Sequence, residues 1–453
     1  MTDPQPPSGA RSAFQQTLRA AGRNLGWLLA SRGLLAVLSL FYLGIAARTL
    51  GVVDFGRFAL ISGASQALAI FVTFQTWQII VQYGVGHLIE GDEGALGRLL
   101  RLCGILDLGS AIAGAGISVV ILTLFGATLG IEPDLMPIVM LFSVVQLLAL
   151  RSTPVGILRL RNKFAVAAFA DSMTPVIRFA GALLAWWLSP TIEGFLYGWT
   201  VAEIVTAGTY WILIARGGDL GLMVRARLDR GRLAAENPGL LRMTLSTNAS
   251  STLNLSGKQI PLLFVGAFAG PAAAGAFRMA FQIAQALAKL SQLLSRAAFP
   301  EIVRAVRTSG VVVLKDMIGK LIVGSAGGGL VILAVIALAG QTVLTLVGGA
   351  EYAPAYPILL WLAAAGCVDL AIVSFEPILM AMHRAGTAFI ARAVATAVML
   401  GAMSILAPLY AGTGAAIAML IGSLASAILL GAAIFGRLGG ATVPPAAPDG
   451  SAG

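Results

Sequence analysis

Charge is what this sequence has least of. Lys, Arg, Asp and Glu together make up 11% of its 453 residues, where a soluble domain carries about 25%. That scarcity excludes an ordinary soluble fold, and the 58% of hydrophobic residues excludes a disordered chain. Cysteine is almost missing: Cys103 and Cys367 both fall in apolar segments, so no disulfide framework is indicated. The two histidines, His87 and His383, are far apart, and no metal-ligand cluster or cofactor motif accompanies them. A GxxxxGK[ST] phosphate loop is also absent. The polar, Pro-rich start (MTDPQPPSGARSAF) does not resemble a cleavable signal.

What is present is apolar sequence. Mean hydropathy is +0.89, and one helical crossing of a bilayer needs about 20 apolar residues. Blocks such as 321–340 and 413–435 lack the alternation of a β-barrel strand. The expected fold class is therefore an all-α polytopic membrane protein of about twelve helices. Spans fall near 25–47, 58–80, 102–127, 137–158, 171–189 and 194–214. A second set falls near 242–268, 274–297, 317–339, 357–380, 388–407 and 413–435. The expected division is a tail (1–24), a six-helix lobe (25–214), a basic linker (215–241), a second six-helix lobe (242–435) and a tail (436–453).

The net charge of +10 follows from topology and needs no nucleic-acid partner. Cations crowd the N-tail (Arg11, Arg19, Arg23), the linker (Arg216, Arg225, Arg227, Arg230, Arg232) and the even-to-odd connections, among them Arg98, Arg101, Arg159, Arg161 and Lys163. The odd-to-even connections hold only Arg48 and Arg57. This asymmetry places both termini and the linker in the cytoplasm. An internal repeat also emerges. Gly51, Gly56, Phe58, Gln66, Ala67 and Leu68 coincide, at an offset of 219, with Gly270, Gly275, Phe277, Gln285, Ala286 and Leu287. A duplicated six-helix unit leaves such an offset, and both copies start on the same side, as in a parallel repeat.

The segment RTLGVVDFGRFAL at 48–60, followed by a Gln-bearing second span, resembles the Wzx-type polysaccharide and O-antigen repeat-unit flippases of the MOP (multidrug/oligosaccharidyl-lipid/polysaccharide) superfamily. The resemblance covers length, span count and two-lobe layout, while its specific motif is short and belongs to the scaffold. It implies alternating access by two lobes. It also implies translocation of an undecaprenyl-diphosphate-linked oligosaccharide across a bacterial inner membrane, with a polysaccharide polymerase or export machinery as a possible partner.

Charges inside spans cost at least about 2.5–3.5 kcal/mol at a helix centre, so they mark candidate sites. Arg278, Gln282, Gln285, Lys289, Gln292 and Arg296 in span eight repeat at 4-3-4-3-4 spacing and share one face. Thr247, Ser251, Asn254 and Lys258 repeat at 4-3-4 in span seven, just before Pro261, which is expected to kink the helix. Together with Arg178 in span five, these residues are expected to form a cationic, polar cavity for phosphates and sugar hydroxyls. The competing reading has the end arginines snorkelling and the small polar residues packing helices.

Trp199, Glu203 and Tyr210 in span six are candidate sugar contacts, with Glu203 equally able to neutralise Arg178. Asp369 and Glu376 in span ten are candidate ion-coupling carboxylates, or else structural partners of Lys258 or Lys289. Asp107 is expected at the cytoplasmic interface. Two alternatives stay open. A cation-coupled multidrug exporter is disfavoured by a first span without carboxylates. An envelope-glycan transferase or ligase is disfavoured by short outer loops and by the lack of a catalytic acid or nucleophile. An enzyme is not expected.

Overall fold

The computed structural model describes the backbone of residues 8–126, 131–308, 311–381 and 384–438. Side chains are described from 35 to 435 except at 36, 127–130, 230, 250–251, 254–256, 258, 288–321, 377, 380–383 and 385. Among the described residues there are helices and no strand. In chain order the first half comprises α1 (Ser8–Val72), α2 (Thr76–Glu90), α3 (Glu93–Phe125), α4 (Met136–Leu148), α5 (Ser152–Leu160), α6 (Phe164–Leu188) and α7 (Ile192–Arg216). Short α8 (Asp219–Arg225) and α9 (Arg230–Glu236) follow. The second half comprises α10 (Leu240–Thr308), α11 (Val311–Gly348), α12 (Tyr356–Ala371), α13 (Phe375–Ala381) and α14 (Ala385–Leu438).

Nine helical stretches among the described residues are long and apolar enough to cross a membrane. Three of them contain a reversal and count twice, giving twelve passes in two lobes. In α1 the reversal is at Gly51 (φ 72°, ψ 175°), a backbone region open essentially to glycine alone. The rings prove the turn. Tyr42 and Phe58 would lie about 24 Å apart on a straight helix, yet both pack edge-on against Trp199, with centroids 5.3 and 5.1 Å away. In α10 the reversal is at Gly270 (φ 79°, ψ 179°), the repeat partner of Gly51 in both sequence and backbone. The third reversal, in α14, uses Tyr410 and Ala411.

The repeated glycines also make the seam between the lobes. A Cβ on Gly56 would sit 1.8 Å from the Pro271 carbonyl oxygen, and one on Gly275 would sit 2.4 Å from that of Val52. Only hydrogen fits, so the two turns meet backbone to backbone. Arg48 adds a clasp, donating to the carbonyl oxygens of Thr345, Leu346 and Val347 at the end of α11. Behind this seam one apolar core runs through both lobes, joining Phe55, Phe58 and Phe195 to Leu262, Val265 and Phe277.

On the opposite, linker side the described cores separate. The first lobe packs Ile79, Ile80, Leu99, Leu100, Ile157 and Ile214, and the second packs Ile372, Phe375, Leu379, Leu430 and Ile434. The helices break near the border between these cores: at 73–75 between α1 and α2, at 149–151 between α4 and α5, and at 372–374 between α12 and α13. Pro154 and Pro377 fall in the first turn of the helix after a break, where a missing N–H costs nothing. Pro261, by contrast, does not interrupt α10, whose one non-helical residue is Gly270. The linker is no free tether. Arg98 pairs with Glu236, His87 Nε2 lies 3.0 Å from Asn237 Oδ1, and the Tyr83 hydroxyl donates to Pro238 O at 2.9 Å. Arg161 holds Asp219 at 2.7 Å, so α8 and α9 ride on the first lobe.

Candidate functional site

A narrow cleft lies where the lobes meet, lined by Tyr42, Ser62, Gln66, Arg178, Trp199 and Arg278. Its free space matches about one water molecule. Helices α6 and α7 touch there at Gly181 and Gly198, whose backbones approach within about a van der Waals contact. That approach brings Arg178 to α7, where its guanidinium lies 5.5 Å from the Trp199 ring centroid and 2.7 Å from Glu203 Oε1. Glu203 is 1% exposed and also takes Arg151, which projects from the break between α4 and α5. A buried carboxylate of this kind persists only when paired, and here two guanidiniums share it.

Arg278 enters the same cleft from the second lobe, within electrostatic reach of Arg178. Among the described residues no carboxylate pairs with it. The local sum is three cations against one carboxylate. Among the described residues, Arg178 Nε and Gln259 Oε1 near the lobe interface are buried without a partner, as is the Tyr352 hydroxyl. The Gln259 amide nitrogen donates across the lobes to Gln66 Oε1 at 2.8 Å, and Gln282 donates to Ser39 Oγ at 3.2 Å. Gln285 is half-buried on the same helix. The span-eight stripe thus reaches the other lobe at Arg278 and Gln282, while Ala280 is buried in the core.

Other expected site residues lie elsewhere. Trp199 is 2% exposed, packed among Tyr42, Phe58 and Phe195, with one edge on the cleft. Tyr210 is sealed in the linker-side core of the first lobe, its hydroxyl donating to Asp171 Oδ1 at 2.5 Å. It is not brought to the cleft. Glu376 is bound by Arg392 at 2.8 Å, and Asp369 lies on an exposed face of α12. The side chains of Ser251, Asn254, Lys258, Lys289 and Gln292 lie outside the described residues.

Sequence reasoning passed over Arg151 and Arg392, both charges inside expected spans, and misplaced Asp107. Asp107 is 2% exposed, sealed between helices rather than facing the surroundings of the protein. Its carboxylate accepts from the backbone N–H and hydroxyl of Thr153 at 2.9 and 2.7 Å, and the Thr76 hydroxyl is 2.9 Å from both of its oxygens. One carboxylate therefore ties together two helix breaks at the N-termini of α2 and α5, whose dipole ends favour negative charge. The signal was legible as a Ser-Thr-Pro helix start at 152–154, but its partner on α3 was not.

Residues 21–306 match the family described as polysaccharide biosynthesis protein. The chain is 27% identical over 340 residues to inner membrane protein YghQ of Escherichia coli (strain K12), covering 74% of this chain and 95% of that one. Among solved structures, the lipid II flippase MurJ in an inward closed conformation superposes with a TM-score of 0.68 at 14% identity, over 90% of this chain and 87% of that one. An inward-facing multidrug resistance MATE family transporter of the MOP superfamily gives 0.64 at 16%, over 92% and 96%. At those identities the likeness is one of fold, and the twelve-pass, two-lobe architecture is common to all three.

Proposed function

The chain belongs to the polysaccharide biosynthesis protein family and has the MOP-superfamily fold, and from that premise we propose that it flips undecaprenyl-diphosphate-linked oligosaccharide repeat units across the bacterial inner membrane. The observation that carries this reading is the pair of arginines, one from each lobe, lining a cleft beside which the one paired carboxylate among the described residues, Glu203, is already shared with Arg151. Such a site is electropositive in a low-dielectric surrounding and suits an anionic cargo. Once this cleft, now wide enough for about one water molecule, opens, the diphosphate would lie between Arg178 and Arg278, with Gln282, Gln285 and the Trp199 edge toward the sugars. Lys258, Lys289, Ser251, Asn254 and Gln292 would extend the wall on the linker side.

In this reading both termini and the linker are cytoplasmic, as the cation distribution requires. The closed seam at Gly56 and Gly275 is then the outer gate, and the separated cores open toward the cytoplasm. The lipid tail stays in the bilayer between the lobes while the head group enters the cavity. The test is flipping of a fluorescent undecaprenyl-diphosphate-linked oligosaccharide in proteoliposomes. Arg178→Gln and Arg278→Gln should each flip about tenfold more slowly than wild type; undiminished flipping in both variants refutes the reading. The multidrug reading has one observation in its favour, the exposed Asp369. Uptake of a cationic dye driven by a proton or sodium gradient, lost in Asp369→Asn, would establish it instead.

A further inference from the structure

Glu203 offers one carboxylate oxygen to each of two arginines. Arg178 donates to Oε1 at 2.7 Å, and Arg151 donates to Oε2. The carboxylate is 1% exposed, and two guanidiniums against one carboxylate leave the triad with a net positive charge. A buried carboxylate that loses its only cation is strongly destabilising, because its charge is then unpaired in a low dielectric. Glu203 therefore tolerates the departure of either arginine but not of both.

The two arginines are not held alike. Arg151 belongs to the break between α4 and α5, and that break is pinned from two helices. Trp211 Nε1 on α7 donates to the Leu150 carbonyl oxygen at 2.9 Å, and the Thr153 N–H donates to Asp107 on α3 at 2.9 Å. The Arg151 guanidinium also reaches the Thr174 hydroxyl at 3.4 Å. Arg178 instead lines the cleft, and its Nε is buried without an acceptor among the described residues. Pro175, one turn before it in α6, has no N–H to give the Asp171 carbonyl, so the backbone is less tightly tied there. One arginine is thus anchored behind the carboxylate. The other faces the lobe interface with a donor to spare.

We propose that Glu203 is a holding site from which an anionic cargo takes Arg178, and that Arg151 is the positioning residue that keeps Glu203 paired during the exchange. The proposal rests on the reading of the cleft as a site for a diphosphate. While the cleft is narrow and empty of cargo, Glu203 compensates the buried Arg178. When phosphate oxygens enter, the planar guanidinium turns to them, and its unused Nε–H gains a charged acceptor. Glu203 remains neutralised by Arg151, so no lone carboxylate is left to repel the anion. Arg278 has no carboxylate partner among the described residues, which confines the exchange to the first lobe.

The experiment measures binding of fluorescent undecaprenyl diphosphate to the full-length protein in nanodiscs. Arg151→Gln should weaken binding about tenfold, because Arg178 is then the only partner of Glu203 and is retained by it. Glu203→Gln should tighten binding about threefold, because Arg178 then has no carboxylate to leave. Adding Glu203→Gln to Arg151→Gln should recover the lost affinity, the opposite of two accumulating structural lesions. That recovery also separates the exchange from misfolding of Arg151→Gln. The effect of Glu203 must run through Arg178, so in an Arg178→Gln background Glu203→Gln should change the remaining affinity by less than about twofold. Tightening of full size in that background would make Glu203 a general field effect and overturn the exchange. Wild-type binding by Arg151→Gln, or no recovery in the double variant, overturns it as well. Undiminished binding by Arg178→Gln refutes the cleft reading itself. Weakened binding by Arg178→Gln together with wild-type binding by Arg151→Gln refutes the exchange alone.

Discussion

On the side of the glycine turns the two lobes share one core, whereas on the linker side each described core belongs to a single lobe. The turn side is bound by backbone contact at Gly56 and Gly275 and by Arg48 on the α11 carbonyls. On the linker side the ion pairs among the described residues fall within lobes, Arg98–Glu236 and Arg161–Asp219 in the first and Glu376–Arg392 in the second. The contrast teaches where to look for motion. Close-packed surfaces are bistable rather than continuously deformable, so the seam either stays shut or parts as a unit. The helix breaks lie at the border of the linker-side cores, away from the seam.

The strongest way to break this contrast is Gly56→Val. Its Cβ meets the Pro271 carbonyl, which is backbone and cannot swing aside; overpacking costs about 1–3 kcal/mol even where side chains can yield. Flipping should fall to background, and spin labels at Asp54→Cys and Ala273→Cys should move apart. An unchanged distance would show that the seam is not the closed gate. Glu203→Gln attacks the cleft from inside the first lobe and leaves Arg151 and Arg178 without their carboxylate. Losing one partner of a buried pair costs about 3–5 kcal/mol, read as a lower unfolding midpoint in detergent.

Arg278→Gln should separate function from stability. No carboxylate depends on it among the described residues, so the unfolding midpoint should hold while flipping falls about tenfold, equivalent to ~1.4 kcal/mol. A large stability loss with normal transport would make Arg278 a structural residue. The smallest effect is expected for Glu376→Gln. Its pair with Arg392 is about 30% exposed on both sides, and such pairs contribute about 0–1 kcal/mol. Complete loss of transport with the fold intact would instead promote Glu376 to the coupling role weighed for it beside Asp369.

Several of these residues were legible beforehand and several were not, for one physical reason. Arg178 and Arg278 declare themselves because a charge inside an apolar span is costly wherever the helix packs. Their approach to one another joins α6 to α10, and no periodicity along one helix reports a neighbour on another. Tyr210 read as a sugar contact because its 4-3-4 spacing with Glu203 is real; its face turns to Asp171 within the lobe. Pro261 read as a hinge, yet the breaks are at 73–75, 149–151 and 372–374, where buried polar partners or a following proline favour a new helix start.

The sequence by itself determined the membrane class, the twelve passes, the duplicated unit and the glycine turns. Each of these depends on local quantities: hydropathy over about 20 residues, the fixed offset between copies, and a backbone conformation that only glycine adopts without strain. Tertiary structure alone decided which cations stay uncompensated. Pairing depends on distances of a few ångströms between helices far apart in the chain, such as Arg151 to Glu203 and Glu376 to Arg392. It also decided that the lobes close at the turns, where the facing glycines of both copies let two backbones meet.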